Sequence, residues 1–169
     1  VLSAGAALRS GRSSPTPTPS RNNPDAPEVK IIPRSEWTKG MQQVEEITRW
    51  CAKKLKVHND LLVEFVLPKD RSWTACYGGF IHWNVSTLGR VWFNEWYKHP
   101  AQMLSTIIHE LAHSKADNHL DAEFYKACTR YGSELVMAAI LGGKEFPHFN
   151  LVREHVNNLV REYVKAQGE

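Results

Sequence analysis

The chain has 169 residues, 42% of them hydrophobic, which is enough for one globular domain with a single core. Its formal net charge of +3 comes from 21 basic and 18 acidic residues without a long basic run, so charge does not support nucleic-acid binding. No apolar stretch reaches the roughly 18 residues of a membrane span, and residues 1–8 lack the pattern of a secretory signal.

The first 29 residues are predicted to be a disordered linker or tail. Residues 10–27 read SGRSSPTPTPSRNNPDAP, with five of the nine prolines and no aromatic or large aliphatic residue. Such a composition buries too little apolar surface to fold alone, and the Thr-Pro alternation favours an extended spacer. Because the chain begins with Val rather than Met, we expect it to be the downstream part of a longer protein or a processed product. An upstream domain or a partner protein is then expected. The globular domain is predicted for residues 30–169.

The three cysteines, Cys51, Cys76 and Cys128, are an odd number and form no CxxC pair. This pattern favours reduced thiols over a disulfide framework. We therefore expect a cytoplasmic protein whose cysteines act as small buried hydrophobic residues.

The first predicted helix spans residues 35–57, with Ser35 as its N-cap and apolar residues repeating at helical spacing. Short runs rich in β-branched and aromatic residues follow, separated by turn residues. They lie at residues 61–67, 72–77 and 80–86, and residues 90–93 could extend the set. The pattern predicts a small antiparallel sheet of about three strands.

The second half of the chain is predicted to be helical. Pro100 stands at a position typical of a helix start, and this helix is expected to run to about Lys115. Helices over residues 120–141 and 149–166 follow, the first of them ended by Gly142-Gly143. A sheet followed by a group of helices predicts the α+β class.

The most specific motif is HELAH at residues 109–113, followed by His119. Positions i and i+4 lie on one face of a helix, so His109 and His113 can bind one metal ion, with His119 as third ligand. Glu110 then lies beside the metal, where it can act as general base toward a metal-activated water. The motif predicts a zinc site for hydrolysis; the alternative is a zinc site without hydrolysis.

Residues 107–132, IIHELAHSKADNHLDAEFYKACTRYG, resemble the motif region of WLM and SprT-type zinc metalloproteases. The spacing HExxHxxxxxH is similar to that of the WLM group, and Phe124 and Tyr125 match the aromatic pair that packs under its site. The likeness to metzincins is weaker, because Ala116 replaces the turn glycine and Met137 is not in a Met-turn.

The resemblance implies a zincin-like fold, in which a small antiparallel sheet packs on an active-site helix with flanking helices and an edge strand binds peptide. It also implies that His109, His113 and His119 bind zinc and that Glu110 is the base. Proteolysis of DNA-bound proteins is a further implication that the charge balance does not support. A weaker resemblance is to metalloprotease-like domains appended to bacterial ATP-binding proteins.

Several other residues are candidates for supporting roles. His82 could face the cleft as an oxyanion donor or a substrate contact, although a strand histidine is more often simply packed or hydrogen-bonded. Asp117 and Asp121 could accept a hydrogen bond from a ligand imidazole or cap a helix, and Asp117 could replace His119 as ligand. The candidates for stabilising the oxyanion are Tyr125, Arg130, Tyr131 and His148.

The function predicted from the sequence is a zinc-dependent peptidase acting on a protein or peptide substrate, with Glu110 as general base. An edge strand near residues 80–86 is expected to hold the substrate in an extended conformation. The alternative is a zinc-stabilised binding or signalling module without proteolysis.

Overall fold

Helices and a small sheet alternate along the chain in the computed structural model, which describes residues 29–142 and 146–167. The strands are β1 (Lys30–Ile31), β2 (Val63–Leu67), β3 (Ala75–Tyr77) and β4 (Ile81–Asn84). The helices are α1 (Lys39–Lys54), α2 (Val85–Asn94), α3 (Pro100–Ala112), α4 (Ala122–Gly142) and α5 (Phe149–Gln167). This arrangement confirms the α+β class. The linker predicted for residues 1–29 lies outside the described residues, except for residue 29.

Helix α1 begins later than the sequence pattern predicts. Its N-cap is Thr38, whose hydroxyl accepts a hydrogen bond from the backbone N–H of Met41 at 3.2 Å. The predicted cap, Ser35, instead lies in a short 3-10 segment at Arg34–Glu36, so that prediction was wrong. Both residues have the hydroxyl that an N-cap requires, and local spacing alone did not separate them.

The sheet is mixed rather than antiparallel, with strand order β1-β2-β4-β3. Strands β3 and β4 form an antiparallel hairpin, in which Gly79 takes a positive φ of 79° at the turn. Strand β4 then returns beside β2 and pairs with it in parallel, while β1 pairs antiparallel with the other edge of β2. The prediction of an antiparallel sheet was therefore wrong for the central pair.

The strand boundaries also differ from the prediction, because local side-chain hydrogen bonds end the strands. The Asp70 carboxylate accepts hydrogen bonds from the backbone N–H and hydroxyl of Ser72, which form a turn where a strand was predicted. Similarly, Asn84 Oδ1 accepts the backbone N–H of Thr87 at 3.1 Å and starts α2. Helix α2 has a kink at Gly89, where φ is 78° and ψ is 152°, and residues 90–93 lie in its second part rather than in a strand.

One face of the sheet packs against helices to form the hydrophobic core. Alternate residues of the strands, including Phe65, Ile81 and Trp83, are buried there together with the apolar faces of α1, α2 and α3. Helix α1 approaches α2 so closely at Gly40 that a Cβ atom there would lie 2.1 Å from the carbonyl oxygen of Phe93. Helix α3 in turn packs against β3 and α4, which brings it to one edge of the sheet.

The helices of the second half lie close to their predicted positions. Helix α3 ends at Ala112, earlier than the predicted Lys115, and α4 begins at Ala122. Gly142 closes the described part of α4, whereas Gly143, the second residue of the predicted stop, lies outside the described residues. Within the two described ranges, none of the helices has both the length and the apolar character to cross a membrane.

Candidate metal centre

Two of the three motif histidines lie at the end of α3. His109 is in its last turn and His113 is its C-cap residue, so the two side chains are one helical turn apart on one face. The backbone then tightens, because the N–H groups of Ser114 and Lys115 bond to carbonyls three residues earlier. This tight turn directs the following residues back toward the histidine pair.

His119 returns to the two α3 histidines without any special backbone conformation. Ala116 is not among the described non-glycine residues with positive φ, which are Lys56 and His148. The turn that brings His119 back therefore needs no glycine at position 116. The Asn118 side chain accepts the backbone N–H of Leu120 at 2.9 Å, and this local bond shapes the loop around His119.

The three imidazoles converge on one point through their Nε2 atoms. His119 Nε2 lies 3.1 Å from His109 Nε2 and 3.0 Å from His113 Nε2. A tetrahedral zinc ion with Zn–N distances of about 2.0–2.1 Å holds nitrogen ligands about 3.3–3.4 Å apart. These two separations are close to that value, and the ligand atoms of all three histidines lie within 4.8 Å of one another. Among the described residues the cluster includes no carboxylate.

Hydrogen bonding alone does not account for three converging nitrogens. A neutral imidazole carries one N–H, so His119 Nε2 can donate to only one of its two neighbours. His113 Nδ1 lies 3.2 Å from the Ala116 carbonyl oxygen, and donation there leaves the Nε2 lone pair facing the cluster. The donor set therefore fits a metal that prefers imidazole nitrogen, such as zinc.

The electrostatics of the cluster favour neutral imidazoles, which is the form that binds metal. Burial, together with the nearby His119 and His113, lowers the pKa of His109 to about 4. Burial is also the largest cause that lowers the pKa of His113. Metal binding requires unprotonated ligands, so these rings need not lose a proton at neutral pH to bind an ion.

Phe124 supports the histidine cluster from α4. Its side chain is 4% exposed, and its ring centroid lies 5.1 Å from that of His109 and 4.9 Å from those of His113 and His119. The predicted position of Phe124 under the site matches this geometry. Tyr125, the second member of the predicted aromatic pair, touches the Phe124 ring but is 59% exposed.

The two candidate aspartates differ in their roles. The Asp121 carboxylate accepts a hydrogen bond from the backbone N–H of Glu123 at 2.9 Å. Asp121 therefore caps the start of α4, which is one of the two roles predicted for it. Asp117 is exposed, and its charge acts on His113, where it opposes the lowering of the imidazole pKa. The hydrogen-bond acceptor for His113 is the backbone of Ala116, which no side-chain pattern could have predicted.

Glu110 lies beside the histidine cluster and is almost completely buried, with 6% exposure. Burial raises the pKa of its carboxyl group to about 8, while the backbone N–H of Tyr77 opposes that change. The side chain of Cys76 is near enough for the Glu110 charge to raise its pKa further, although burial is the main cause. A divalent cation in the cluster would favour the charged carboxylate.

The candidates for oxyanion stabilisation are dispersed. Tyr131 is fully buried and its hydroxyl lies 3.3 Å from Ser114 Oγ, so it packs next to the end of α3. Arg130 is exposed and forms an ion pair with Glu134. His148 Nε2 lies 2.7 Å from a carboxylate oxygen of Glu46 on α1. Of these four candidates, Tyr131 is the one whose side chain contacts the turn after α3, close to His113.

His82 is packed inside the sheet and does not face a cleft. It is 5% exposed, and its Nε2 lies 2.7 Å from Glu64 Oε2 on the neighbouring strand. Its ring also lies 4.4 Å from that of Phe80, measured between centroids. The side chain thus joins β2 and β4.

The predicted substrate-binding edge requires correction. Residues 80–86 include β4, which lies between β2 and β3 in the sheet and has no free edge. Within the described residues, the strand with an unpaired side next to α3 is β3. The edge near Glu110 is therefore formed by Ala75–Tyr77 instead.

Comparison of the chain with protein-family models, with curated proteins and with solved structures returned no match. The geometry of the histidine cluster and of Glu110 is accordingly the basis for the functional argument.

Proposed function

We propose that this protein is a zinc-dependent peptidase, with His109, His113 and His119 as metal ligands and Glu110 as general base. The observation that carries the proposal is the convergence of three Nε2 atoms beside a buried carboxylate. A zinc ion would supply Lewis acidity, which polarises a carbonyl group and lowers the pKa of water to about 7. The resemblance of residues 107–132 to WLM and SprT-type proteases points to the same chemistry.

Glu110 carries the proton transfers in this proposal. It takes a proton from the attacking water and returns it to the leaving amine, which requires the charged carboxylate that a divalent cation in the cluster would favour. The Glu110 side chain is nearly buried, and its neighbours keep bulk water away from the carboxylate. A site that only bound metal for stability would gain nothing from a nearly buried carboxylate next to its ligands.

An extended peptide can bind along the free edge of β3. Adding a strand to an exposed edge supplies backbone hydrogen bonds without any requirement for a particular side chain. Because α3 packs against β3, a peptide on that edge would pass next to Glu110 and the histidine cluster. The substrate class that this arrangement favours is an unfolded or extended segment of a protein.

The second candidate function is a zinc-stabilised binding or signalling module. The observation that favours it is structural: the loop holding His119 and the start of α4 both meet at the histidine cluster. A metal there would join α3 to α4 and stabilise the fold. In that case metal removal would unfold the domain, and no hydrolysis would be lost.

The proposal is tested by zinc content and by zinc-dependent cleavage of a panel of unfolded proteins. We expect about one zinc ion per purified chain, and loss of that ion in His113→Ala because two ligands are too few for a stable site. The control is His58→Ala, since His58 is exposed and outside the cluster. Stoichiometric zinc in His113→Ala would refute the ligand assignment, and absence of any chelator-sensitive cleavage would refute the peptidase proposal.

A further inference from the structure

Helix α5 packs against the described part of the domain through the face that carries Leu151 and His155. The His155 ring lies 5.9 Å from that of Tyr97, measured between centroids, and Tyr97 belongs to a short 3-10 segment at Trp96–Lys98. Leu151 is half-buried against the hydrophobic core. These two residues of α5 are four positions apart, so they lie on one side of the helix.

A second face of α5 is apolar and exposed. Its members repeat at spacings of three, four and seven residues, which places them in one stripe along the helix. The apolar stripe is 41–66% exposed and consists of Phe149, Val156, Leu159, Val160, Tyr163 and Val164. Its middle lies roughly 130° around the helix from the face of Leu151 and His155. The contact with the 3-10 segment therefore leaves the apolar stripe accessible.

The apolar stripe is large for a surface that remains in water. Six side chains that each expose roughly 100 Å² form a patch of roughly 600 Å², the upper limit for the largest patch on a typical monomer. A standard protein interface buries about 800 Å² per partner, and the polar side chains on both flanks of the stripe can supply the remainder. The patch thus has the size that a second helix covers.

The order of the apolar residues suits pairing with a second copy of α5. Spacings of three and four residues alternate, as in the a/d repeat of paired helices, along Phe149, Val152, Val156, Leu159, Tyr163 and Ala166. In an antiparallel pair with its two-fold axis midway along the helix, each member of this set lies level with another member. Val156, for example, lies level with Leu159 of the second copy. The helix is therefore complementary to itself in this direction.

The charged residues beside the apolar stripe favour the antiparallel direction. His155 and Glu162 lie on the same flank, two helical turns apart. In the antiparallel pair each His155 comes within one turn of Glu162 of the second copy, and the two-fold axis forms this contact twice. A parallel pair would place Glu162 beside Gln167 instead. On the other flank, Arg153 can lay its aliphatic part along Val160 of the second copy.

We propose that α5 is a dimerisation helix, which pairs antiparallel with α5 of a second copy of this chain through the apolar stripe. Each copy keeps a complete histidine cluster, because all three histidines belong to one chain. The proposal is therefore independent of the proposed peptidase activity. The apolar patch is smaller than a standard interface, so the dimer should dissociate in the micromolar concentration range.

Sedimentation equilibrium of the whole chain tests the dimer. From low micromolar to several hundred micromolar concentration, the mass should rise from 19.3 kDa toward twice that value. Val156→Glu should raise the dimer dissociation constant at least about 10-fold, because it places a carboxylate in an apolar layer. Tyr163→Glu should act in the same direction and lies farther from the core. The matched control is Val91→Glu, since Val91 is 69% exposed on α2.

Circular dichroism and zinc content show whether each variant is folded. A wild-type chain that stays monomeric throughout this range would overturn the proposal. Equal dissociation constants in the folded Tyr163→Glu and Val91→Glu variants would overturn it as well.

Cross-linking by oxidation tests the direction of the helices. In a Cys128→Ser background, Phe149→Cys and Ala166→Cys chains are oxidised separately and as a mixture. The antiparallel pair brings position 149 level with position 166 of the second copy and holds the two copies of position 149 about 26 Å apart along the helix. Cross-links should therefore form between the two kinds of chain in the mixture. Preferential cross-linking of Phe149→Cys to itself would overturn the antiparallel arrangement.

Discussion

Substitution of Phe124 by Leu should weaken zinc binding more than the substitution of an equally buried phenylalanine elsewhere in the core. The Phe124 ring is 4% exposed and lies within 5.1 Å of all three histidine rings, measured between centroids. Replacing it by Leu removes buried carbon atoms, the ring contacts with the three histidines and the ring contact with Tyr125. We expect a loss of roughly 1–3 kcal/mol in the free energy of unfolding. The looser rings should also reduce zinc affinity about 10-fold, the lower end of the effects of residues surrounding a metal site.

Phe93→Leu provides the matched control for this prediction. Phe93 is fully buried and contacts three aromatic rings, those of Phe65, Trp83 and Trp92, at 5.0–5.9 Å between centroids. It lies in the core on α2 rather than at the histidine cluster. Zinc affinity is measured by competition with a chromogenic chelator, and stability by urea denaturation of the zinc-free chains. Equal zinc affinities in the two variants would refute a role of Phe124 in holding the imidazoles.

Two further predictions concern the packing of the fold and the reactivity of its thiols. Gly40→Ala should lower the free energy of unfolding by about 3 kcal/mol, because its Cβ would lie 2.1 Å from the Phe93 carbonyl oxygen. Gly132→Ala in α4, where a Cβ meets no other described atom within 4 Å, should instead raise it by about 0.5–1 kcal/mol. Equal melting temperatures of these two variants would contradict the close approach of α1 and α2. Burial raises the pKa of Cys51 and Cys76 from 9.0 to about 12, so Cys128, which is only partly buried, should react first with a thiol reagent at pH 8. Because the unfolded thiols lose their protons first, the stability that these two groups contribute should fall as pH rises from 9.0 toward 12, as measured by urea denaturation.

The helices and the histidine cluster could be predicted from sequence because their signals are local. The i, i+4 spacing of His109 and His113 follows from helix geometry, and Pro100 marks the start of that helix. The placement of His119 was also predictable, since only a short turn separates it from the helix. Phe124 could be assigned because its motif resembles one in which an aromatic residue packs under the site.

The sheet was predicted less well because its pairing depends on contacts between distant segments. Nothing in the local pattern of β2 and β4 indicates that they pair in parallel, since β3 lies between them in the sequence. Residues 90–93, predicted as a strand, lie in the part of α2 that follows the kink at Gly89, and Phe93 is buried there in the core. The Ala116 carbonyl that contacts His113 carries no sequence signal, because every residue has the same backbone carbonyl.

The central claim is that Glu110 is the base of a zinc peptidase, and Glu110→Gln tests it most directly. This substitution keeps the size of the side chain and removes its ability to take a proton. We expect the variant to retain zinc at the wild-type stoichiometry while kcat for cleavage of an unfolded protein falls by at least about 100-fold. A variant that retains zinc and cleaves as fast as the wild type would contradict the account.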